Sequence, residues 1–293
     1  MKPTWLVTNR WLHWDKFEWQ FDQIIGASHG QIERVTTDYA VTHLDNLPEV
    51  AFIMDKDVAA VAQLEAFGVR CVNSSQSIAL CDNKAYTHAA LTRAGIAHPK
   101  TITAPLVYRN LEAEEWANSE FLAAVEYALG FPAVAKHAVG SWGSGVFLVN
   151  SRDELIDVLR EAYPSPVIVE EYVAGSHGRD ARIYMVGDTP VAAMRRFGQG
   201  GDFRANITGG GRAEAWQPPA EYVDVARAAM TALGLDIGSV DFLDAQEPLV
   251  GEVNSNAQFA SLTETTGIDV AAAVVEYLAV SYTHLTLPTT PYV

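Results

Sequence analysis

The sequence predicts an α/β (α+β) chain in which a small parallel unit is followed by a run of antiparallel hairpins. Three observations carry this. Near the N-terminus, apolar strand-like runs alternate with helical ones. Past residue 130, apolar runs come in close pairs around glycine-bearing turns. The chain also has 293 residues, 49 % apolar and 19 % charged, a globular composition with room for about two domains and a sizeable core.

Taken in order, "TWLVT" at 4–8 reads as a strand, and the aromatic residues after it recur at helical spacing. Four of the seven tryptophans fall in the first nineteen residues, a pattern of core or domain contact. "EVAFIMD" (49–55) reads as a buried strand, "VAAVAQLEAFG" as a helix stopped at Gly68, and "VRCVN" as a strand. Strand–helix alternation of this kind makes a parallel sheet. Residues 81–96 read as one helix, with Asp82 as N-cap and Gly95 as its stop. Lys84 then sits in the first turn, where a cation opposes the helix dipole unless an anion is near.

"FPAVAKHAVGSWGSGVFLVNS" (131–151) reads as strand, glycine loop, strand. Ser151 and Glu154 form a capping-box pattern for the next helix. "PVIVEEYV" (166–173) is a strand, 180–198 a hairpin turning at Gly187-Asp188, and 200–211 a loop. Residues 221–234 form an amphipathic helix stopped by Gly234, 238–254 a second hairpin, and 269–279 a final helix. The last fourteen residues are threonine- and proline-rich, uncharged and aperiodic. They read as a tail foreign to the fold.

The net charge is −16, a surface that repels nucleic acid. A small anionic ligand therefore needs a locally positive site. Cys71 and Cys81, the two cysteines, form no metal or disulfide pattern. Neither a long apolar run nor an N-terminal signal stretch is visible, so the expectation is a cytoplasmic protein with no membrane and no nucleic acid among its partners. A homo-oligomer is left open.

The loop "KHAVGSWGSGV" is not a Walker loop, because Lys136 precedes the glycines and a strand follows them. Nor is it a Rossmann turn, which needs a helix at that point. As a hairpin tip, Gly140, Gly143 and Gly145 let backbone N–H groups approach an anion and let the tip move as a lid. In the second hairpin, a turn at 245–248 places Asp241 opposite Glu252, with Asn254 on the same face as Glu252. Facing carboxylates call for a cation between them, and an all-oxygen set suits Mg²⁺ shared with phosphates.

The ordered segments "DNK", "AVAK…GSWGSGV", "VEEYV", "GRDAR", "GGDFRAN", "VDFL" and "GEVN" resemble the ATP-grasp superfamily and, within it, the RimK-like α-L-glutamate ligases. The resemblance covers about residues 80–279. It implies an N-terminal α/β domain (1–81), a central lid subdomain (82–172), a C-terminal subdomain with the metal site (173–279) and the foreign tail (280–293). ATP lies between two antiparallel sheets. By position, Lys84 and Lys136 hold the α- and β-phosphates under the lid residues Gly140, Gly143, Ser144 and Gly145. Glu171 and Tyr172 meet adenine, and Asp180 the ribose or adenine end. Arg182, Arg204, Ala205 and Asn206 surround the γ-phosphate, the two arginines as catalytic groups. Asp241, Glu252 and Asn254 hold Mg²⁺ (or Mn²⁺). The implied reaction joins a carboxylate, expected to be L-glutamate, to an unknown amine or peptide acceptor through an acyl-phosphate. A D-alanine–D-alanine-like ligase, a carrier-protein or peptide ligase and a non-catalytic ATP sensor remain alternatives. After "EVN" the family turn reads A-S-P-G, whereas this chain has "SNAQF", so a different acceptor is expected.

Overall fold

The computed structural model describes residues 3–140, 145–205, 210–243, 245 and 247–285. Four parallel strands open the chain: β1 (Thr4–Thr8), β2 (Ile32–Thr36), β3 (Val50–Met54) and β4 (Arg70–Val72), in spatial order β2-β1-β3-β4. β3 is buried at every position, as a central parallel strand covered on both faces should be. α1 (Asp15–Ala27) packs Phe17, Phe21 and Ile24 on one face; α3 (Val58–Ala66) packs Val61 and Leu64 on the other. β2 and the short α2 (Thr37–Ala40) fall outside the sequence expectation. β2 is an edge strand that buries only Ile32 and Val35, too weak a pattern to read alone.

The helix expected over 81–96 is two. α4 (Ser75–Asp82) ends at Asp82, and α5 (Lys84–Arg93) begins at Lys84. The N-cap is Asn83, whose side chain accepts from the Ala85 N–H at 3.0 Å. Asn83 is held extended by a bridge to Val139, and the Lys84 N–H donates to the Ala138 carbonyl at 2.8 Å. That strand-like contact breaks the helix. Asp82 instead pairs with Lys56 at 2.5 Å.

The middle of the chain carries β5 (Thr101–Thr103), α6 (Ala113–Ala117), α7 (Glu120–Ala128), β6 (Ala133–His137), β7 (Val146–Val149), α8 (Arg152–Ala162) and β8 (Val167–Glu171). Its strands form an antiparallel sheet in the order β5-β8-β6-β7. Ser151 caps α8 as expected; Glu154 reaches back to the Asn150 N–H rather than to that of Ser151.

A second antiparallel sheet, β11-β10-β9-β12-β13, follows. It contains β9 (Arg179–Val186), β10 (Thr189–Phe197), β11 (Arg212–Ala215), β12 (Ile237–Leu243) and β13 (Leu249–Asn254), with α9 (Ala220–Leu233) between β11 and β12. Gly234 ends α9 in the left-handed region at φ 66°. α10 (Ala260–Thr266) and α11 (Val270–Leu285) close the chain. α11 runs beyond the expected stop at 279, because no glycine or proline occurs before Pro288. Residues 286–293 of the expected tail lie outside the described residues.

The N-terminal sheet and the C-terminal elements share one core, in which Leu6, Phe52 and Phe21 join Tyr184, Phe259 and Val274. Asn73, fully buried, fixes this junction. Its amide donates to the Ile237 and Ser255 carbonyls at 2.6 and 2.9 Å and accepts from the Asp236 and Ile237 N–H groups at 2.8 and 3.0 Å. One side chain thereby ties the end of β4 to the start of β12 and the end of β13. No helix among the described residues is long and apolar enough to cross a membrane.

Candidate active site

The two antiparallel sheets each have one apolar face and one charged face. On β6 and β8, Ala133, Ala135, Val167 and Val169 enter the central core. Strand alternation then sends Val134, Lys136 and Glu170 to the opposite face. On the C-terminal sheet, Ala181, Ile183, Ala193, Val240 and Val253 pack with residues of α9. The alternate positions Asp180, Arg182, Arg196, Asp241, Glu252 and Asn254 share the other face. All of these charged-face residues line a single cavity of about 640 Å³.

The cavity gathers Lys84, Lys136, Gly140, Glu171, Tyr172, Asp180, Arg182, Arg204, Ala205, Asp241, Glu252 and Asn254, all picked out from the sequence. Gly145 stands beside it, not among the lining residues; its positive φ (69°) and the nearby His137 ring require a glycine. Gly143, Ser144 and Asn206 lie outside the described residues. Eight of the chain's 20 lysines and arginines line the cavity (Lys16, Lys56, Lys84, Lys136, Arg179, Arg182, Arg196 and Arg204). This is the locally positive site that an anionic ligand of so acidic a protein requires.

Lys84, at the start of α5, spans the cleft. Its Nζ donates to the Gly140 carbonyl at 2.9 Å and lies 3.4 Å from Glu252 Oε1. Lys136 Nζ is 2.6 Å from Glu170 Oε2. Glu170 escaped the sequence reading, which chose its neighbours Glu171 and Tyr172. Burial pushes its carboxyl up, but Lys136 and then His88 outweigh that and hold it at about 2. Glu171 accepts from the Lys100 N–H at 2.8 Å, and the Tyr172 hydroxyl meets His177 Nδ1 at 2.6 Å.

Asp241 does pair with Glu252, by a route other than the expected turn. Leu243 pairs with Leu249, and the register shifts at Gly251 to bring Asp241 opposite Glu252. Asp244 and Gln246 of the turn lie outside the described residues. The expected mutual repulsion is met by arginine. Arg182 holds Asp241 through bonds of 2.7 and 2.6 Å, and Arg196 adds one of 2.9 Å. Arg196 also grips Asp180 at 2.6 and 2.7 Å. Burial pushes the Asp241 carboxyl up, but the two guanidiniums outweigh it and hold it at about 2. Asp180 is pushed up by its burial against the pull of Arg196. Arg196, which binds the network together, was also missed; its sequence signal is no more than its place beside Arg195. Arg204 turns to its neighbour Asp202, at 2.8 Å.

Among the described residues, no group of three or more His, Cys, Asp or Glu could by itself hold a metal. Asp241, Glu252 and Asn254 nevertheless offer hard oxygens on one face. Asn254 Nδ2 is buried without a partner, so its amide can turn without breaking a bond. Among the described residues, Glu252 pairs with Lys84 alone, at 3.4 Å. Asp241 keeps lone-pair capacity beyond its three arginine bonds. The set fits a hard divalent cation.

The N-terminal unit supplies the remaining wall with Asn9, Trp11, Leu12, Trp14 and Lys16. Lys16 donates to the Ser261 hydroxyl at 2.9 Å. Between β13 and α10, Asn256 and Gln258 also line the cavity, and Asn256 Oδ1 and Gln258 Nε2 are buried without partners among the described residues.

Comparison with known proteins agrees with this geometry. The model of the RimK-like ATP-grasp domain matches residues 81–278. A Shewanella amazonensis protein named "Probable alpha-L-glutamate ligase 2" is 37% identical over 226 residues, 75% of this chain and 70% of that protein. The crystal structure of D-cycloserine synthetase superposes with a TM-score of 0.74 at 17% identity, covering 95% of this chain and 99% of the other. A RimK domain protein ATP-grasp from Sphaerobacter thermophilus does so at 0.69 and 18% identity, covering 94% and 98%. Two charged sheet faces closing on one cavity and a family match across both sheets lead to one conclusion: this chain belongs to the RimK-like ATP-grasp family.

Proposed function

We propose that the cleft joins a carboxylate to an amine at the expense of ATP, with L-glutamate as the carboxylate and an amine or peptide as acceptor. One observation carries this reading: Lys84 from the start of α5, Lys136 from the central sheet and arginines from the C-terminal sheet converge on one cavity that Asp241, Glu252 and Asn254 also line. In this reading a carboxylate oxygen attacks the γ-phosphorus of ATP, the bond to ADP breaks, and an acyl-phosphate forms. The amine nitrogen then attacks the acyl carbon and phosphate leaves with its bonding pair.

Lys84 and Lys136 neutralise the α- and β-phosphates, while Glu171 and Tyr172 border adenine and Asp180 the ribose or adenine end. Arg182, Arg204 and Asn206, with Ala205, surround the transferring phosphoryl group. Gly140, Gly143, Ser144 and Gly145 close over it and exclude water. Asp241, Glu252 and Asn254 would hold Mg²⁺ or Mn²⁺, which supplies charge neutralisation for the polyphosphate. The protein's task is positioning and electrostatics rather than covalent catalysis.

Incubation with Mg–ATP, L-glutamate and a panel of amines should give ADP, phosphate and amide in equal amounts, read by mass spectrometry. AMP and pyrophosphate as products would overturn the acyl-phosphate route.

A further inference from the structure

A buried chain of side chains runs from Lys136 to the surface, and nothing in the reaction described above uses it. Glu170 is 2 % exposed. One of its oxygens meets Lys136 Nζ at 2.6 Å, and the other lies 3.2 Å from His88 Nε2. The second contact brings the carboxylate and the ring together without a formed hydrogen bond. His88 stands one turn after Lys84 on α5. Its Nδ1 is 3.0 Å from His98 Nδ1 and 3.0 Å from the Thr101 hydroxyl. His98 Nε2 lies 2.8 Å from the exposed Thr92 hydroxyl.

The partners assign the protons. Two ring nitrogens 3.0 Å apart share one proton, since two N–H groups would collide and two lone pairs would repel. His98 Nδ1 also lies 2.8 Å from the Pro99 carbonyl, which only accepts. The shared proton therefore sits on His98 Nδ1. His88 Nδ1 is bare, and the His88 proton is on Nε2, facing Glu170. A second proton for the pair has one place to go, His98 Nε2. Thr92 can accept it there, because its own hydroxyl donates to the His88 carbonyl at 2.8 Å. The charged groups acting on His98 are Glu170 and Glu171 from β8; Lys136 of β6 stands on the far oxygen of Glu170, and the Lys84 ammonium of α5 lies at Gly140 and Glu252.

We propose that Glu170 is the positioning residue that aims Lys136 at the nucleotide phosphates, and that the His88–His98 pair tunes this lysine by taking up a proton from solvent. The inference rests on the reading of the cleft as the ATP site. A lysine on a long flexible stem loses aim unless one of its three protons is anchored; Glu170 anchors one and leaves two for phosphate oxygens. Protonating the pair turns the neutral Glu170–Lys136–imidazole cluster into a cationic one beside the polyphosphate. Burial and then His88 hold the His98 imidazole below its ordinary 6.5, so the gain appears on the acid side of that value.

Calorimetric binding of Mg–ATP tests this in the wild type and in Lys136→Met, His98→Gln and Glu170→Gln. Wild-type affinity should rise about fivefold between about pH 8 and about pH 5.5, the order expected of one added positive charge near a polyanion in a partly screened site. The nucleotide's own titration is common to every variant, so the difference from wild type reports the protein alone. His98→Gln should bind as wild type does at the alkaline end and lose the rise. Glu170→Gln should lose at least about tenfold in kcat with ATP affinity within about threefold, a split that a merely structural glutamate would not produce. If Glu170→Gln does not fold, His98→Gln, altered at a half-exposed position, still decides. A pH rise unchanged in His98→Gln, or a wild-type kcat in Glu170→Gln, overturns the proposal while tight binding weakened by Lys136→Met leaves the ATP site standing. Wild-type binding that Lys136→Met does not weaken overturns both.

Discussion

Arg182 grips Asp241 with two charge-assisted bonds of 2.7 and 2.6 Å across adjacent strands, directly beside the Asp241–Glu252 pair. From sequence, Asp241 and Glu252 look equivalent: two acids of one hairpin, both expected to repel in the absence of a cation. The structure separates them. The Asp241 side chain is 9% exposed and compensated by two arginines, whereas that of Glu252 is 38% exposed and faces one lysine.

Substitution should follow this asymmetry. Asp241→Asn leaves Arg182 and Arg196 as buried guanidiniums with reduced compensation, and should destabilise by about 3–5 kcal/mol. Glu252→Gln should cost no more than about 1 kcal/mol. Both should abolish turnover. Urea unfolding at neutral pH separates the two, and equal stabilities would contradict the buried network.

The same carboxylates set an acid limit. Asp241 and Glu170 stand at about 2 in the fold, below ordinary values of 3.8 and 4.5. A depressed carboxyl favours the folded state while ionised, so its contribution is present above its ordinary value and fades as pH falls toward 2. Stability should therefore decline between pH 4.5 and 2, and Glu170→Gln should show a shallower decline there. An unchanged slope would show that Glu170 is not a linked group.

How far the sequence carried these conclusions depended on range. The place of Lys136 on its strand, the hairpins and the Asp241–Glu252 pairing were legible because each sits within one local pattern. Even there the pairing was reached for an incomplete reason, since the shift at Gly251 compensates a turn different from the one expected. Glu170 was not legible. In "VEEYV" either glutamate could face the cleft, and only pairing with Val134 of β6 settles which one shares the face of Lys136. Arg196, His88 and Asn73 were invisible for the same reason: their partners lie 10 to 182 positions away.

Asn73 gives the clearest stability test. Its four hydrogen bonds join the N-terminal sheet to the ends of β12 and β13. Asn73→Leu keeps approximate size and orphans four backbone groups, three of them buried, which should cost about 3 kcal/mol or more. A loss below about 1 kcal/mol by denaturant titration would mean that water replaces the amide.

At Gly145 the cost has two separable parts. A Cβ there would lie 2.7 Å from the His137 ring, and the φ of 69° is itself strained for other residues. Gly145→Ala should destabilise by about 2–3 kcal/mol. Adding His137→Ala should recover the steric part and leave the backbone part, about 1–2 kcal/mol. Strict additivity in the double-mutant cycle would rule out the contact.

The acceptor side yields the last prediction. Val253, Ser255, Ala257 and Phe259 are buried, while Asn254, Asn256 and Gln258 alternate with them along the cavity wall. Asn256 Oδ1 and Gln258 Nε2 are an acceptor and a donor that bond nothing among the described residues, a state that costs free energy unless a ligand completes it. They follow Glu252 and Asn254 of the proposed cation set, and Trp11 and Trp14 line the same cavity. An acceptor amine carrying its own donor and acceptor, such as a peptide group, fits this pair. Gln258→Leu should therefore raise KM for a peptide amine by about tenfold, the effect of one buried hydrogen bond lost, and leave KM for ATP unchanged. The measurement is steady-state ADP release with each substrate varied in turn. A rise in both constants would place Gln258 in the general architecture of the cleft, and no rise in either would remove the 256–258 segment from acceptor recognition.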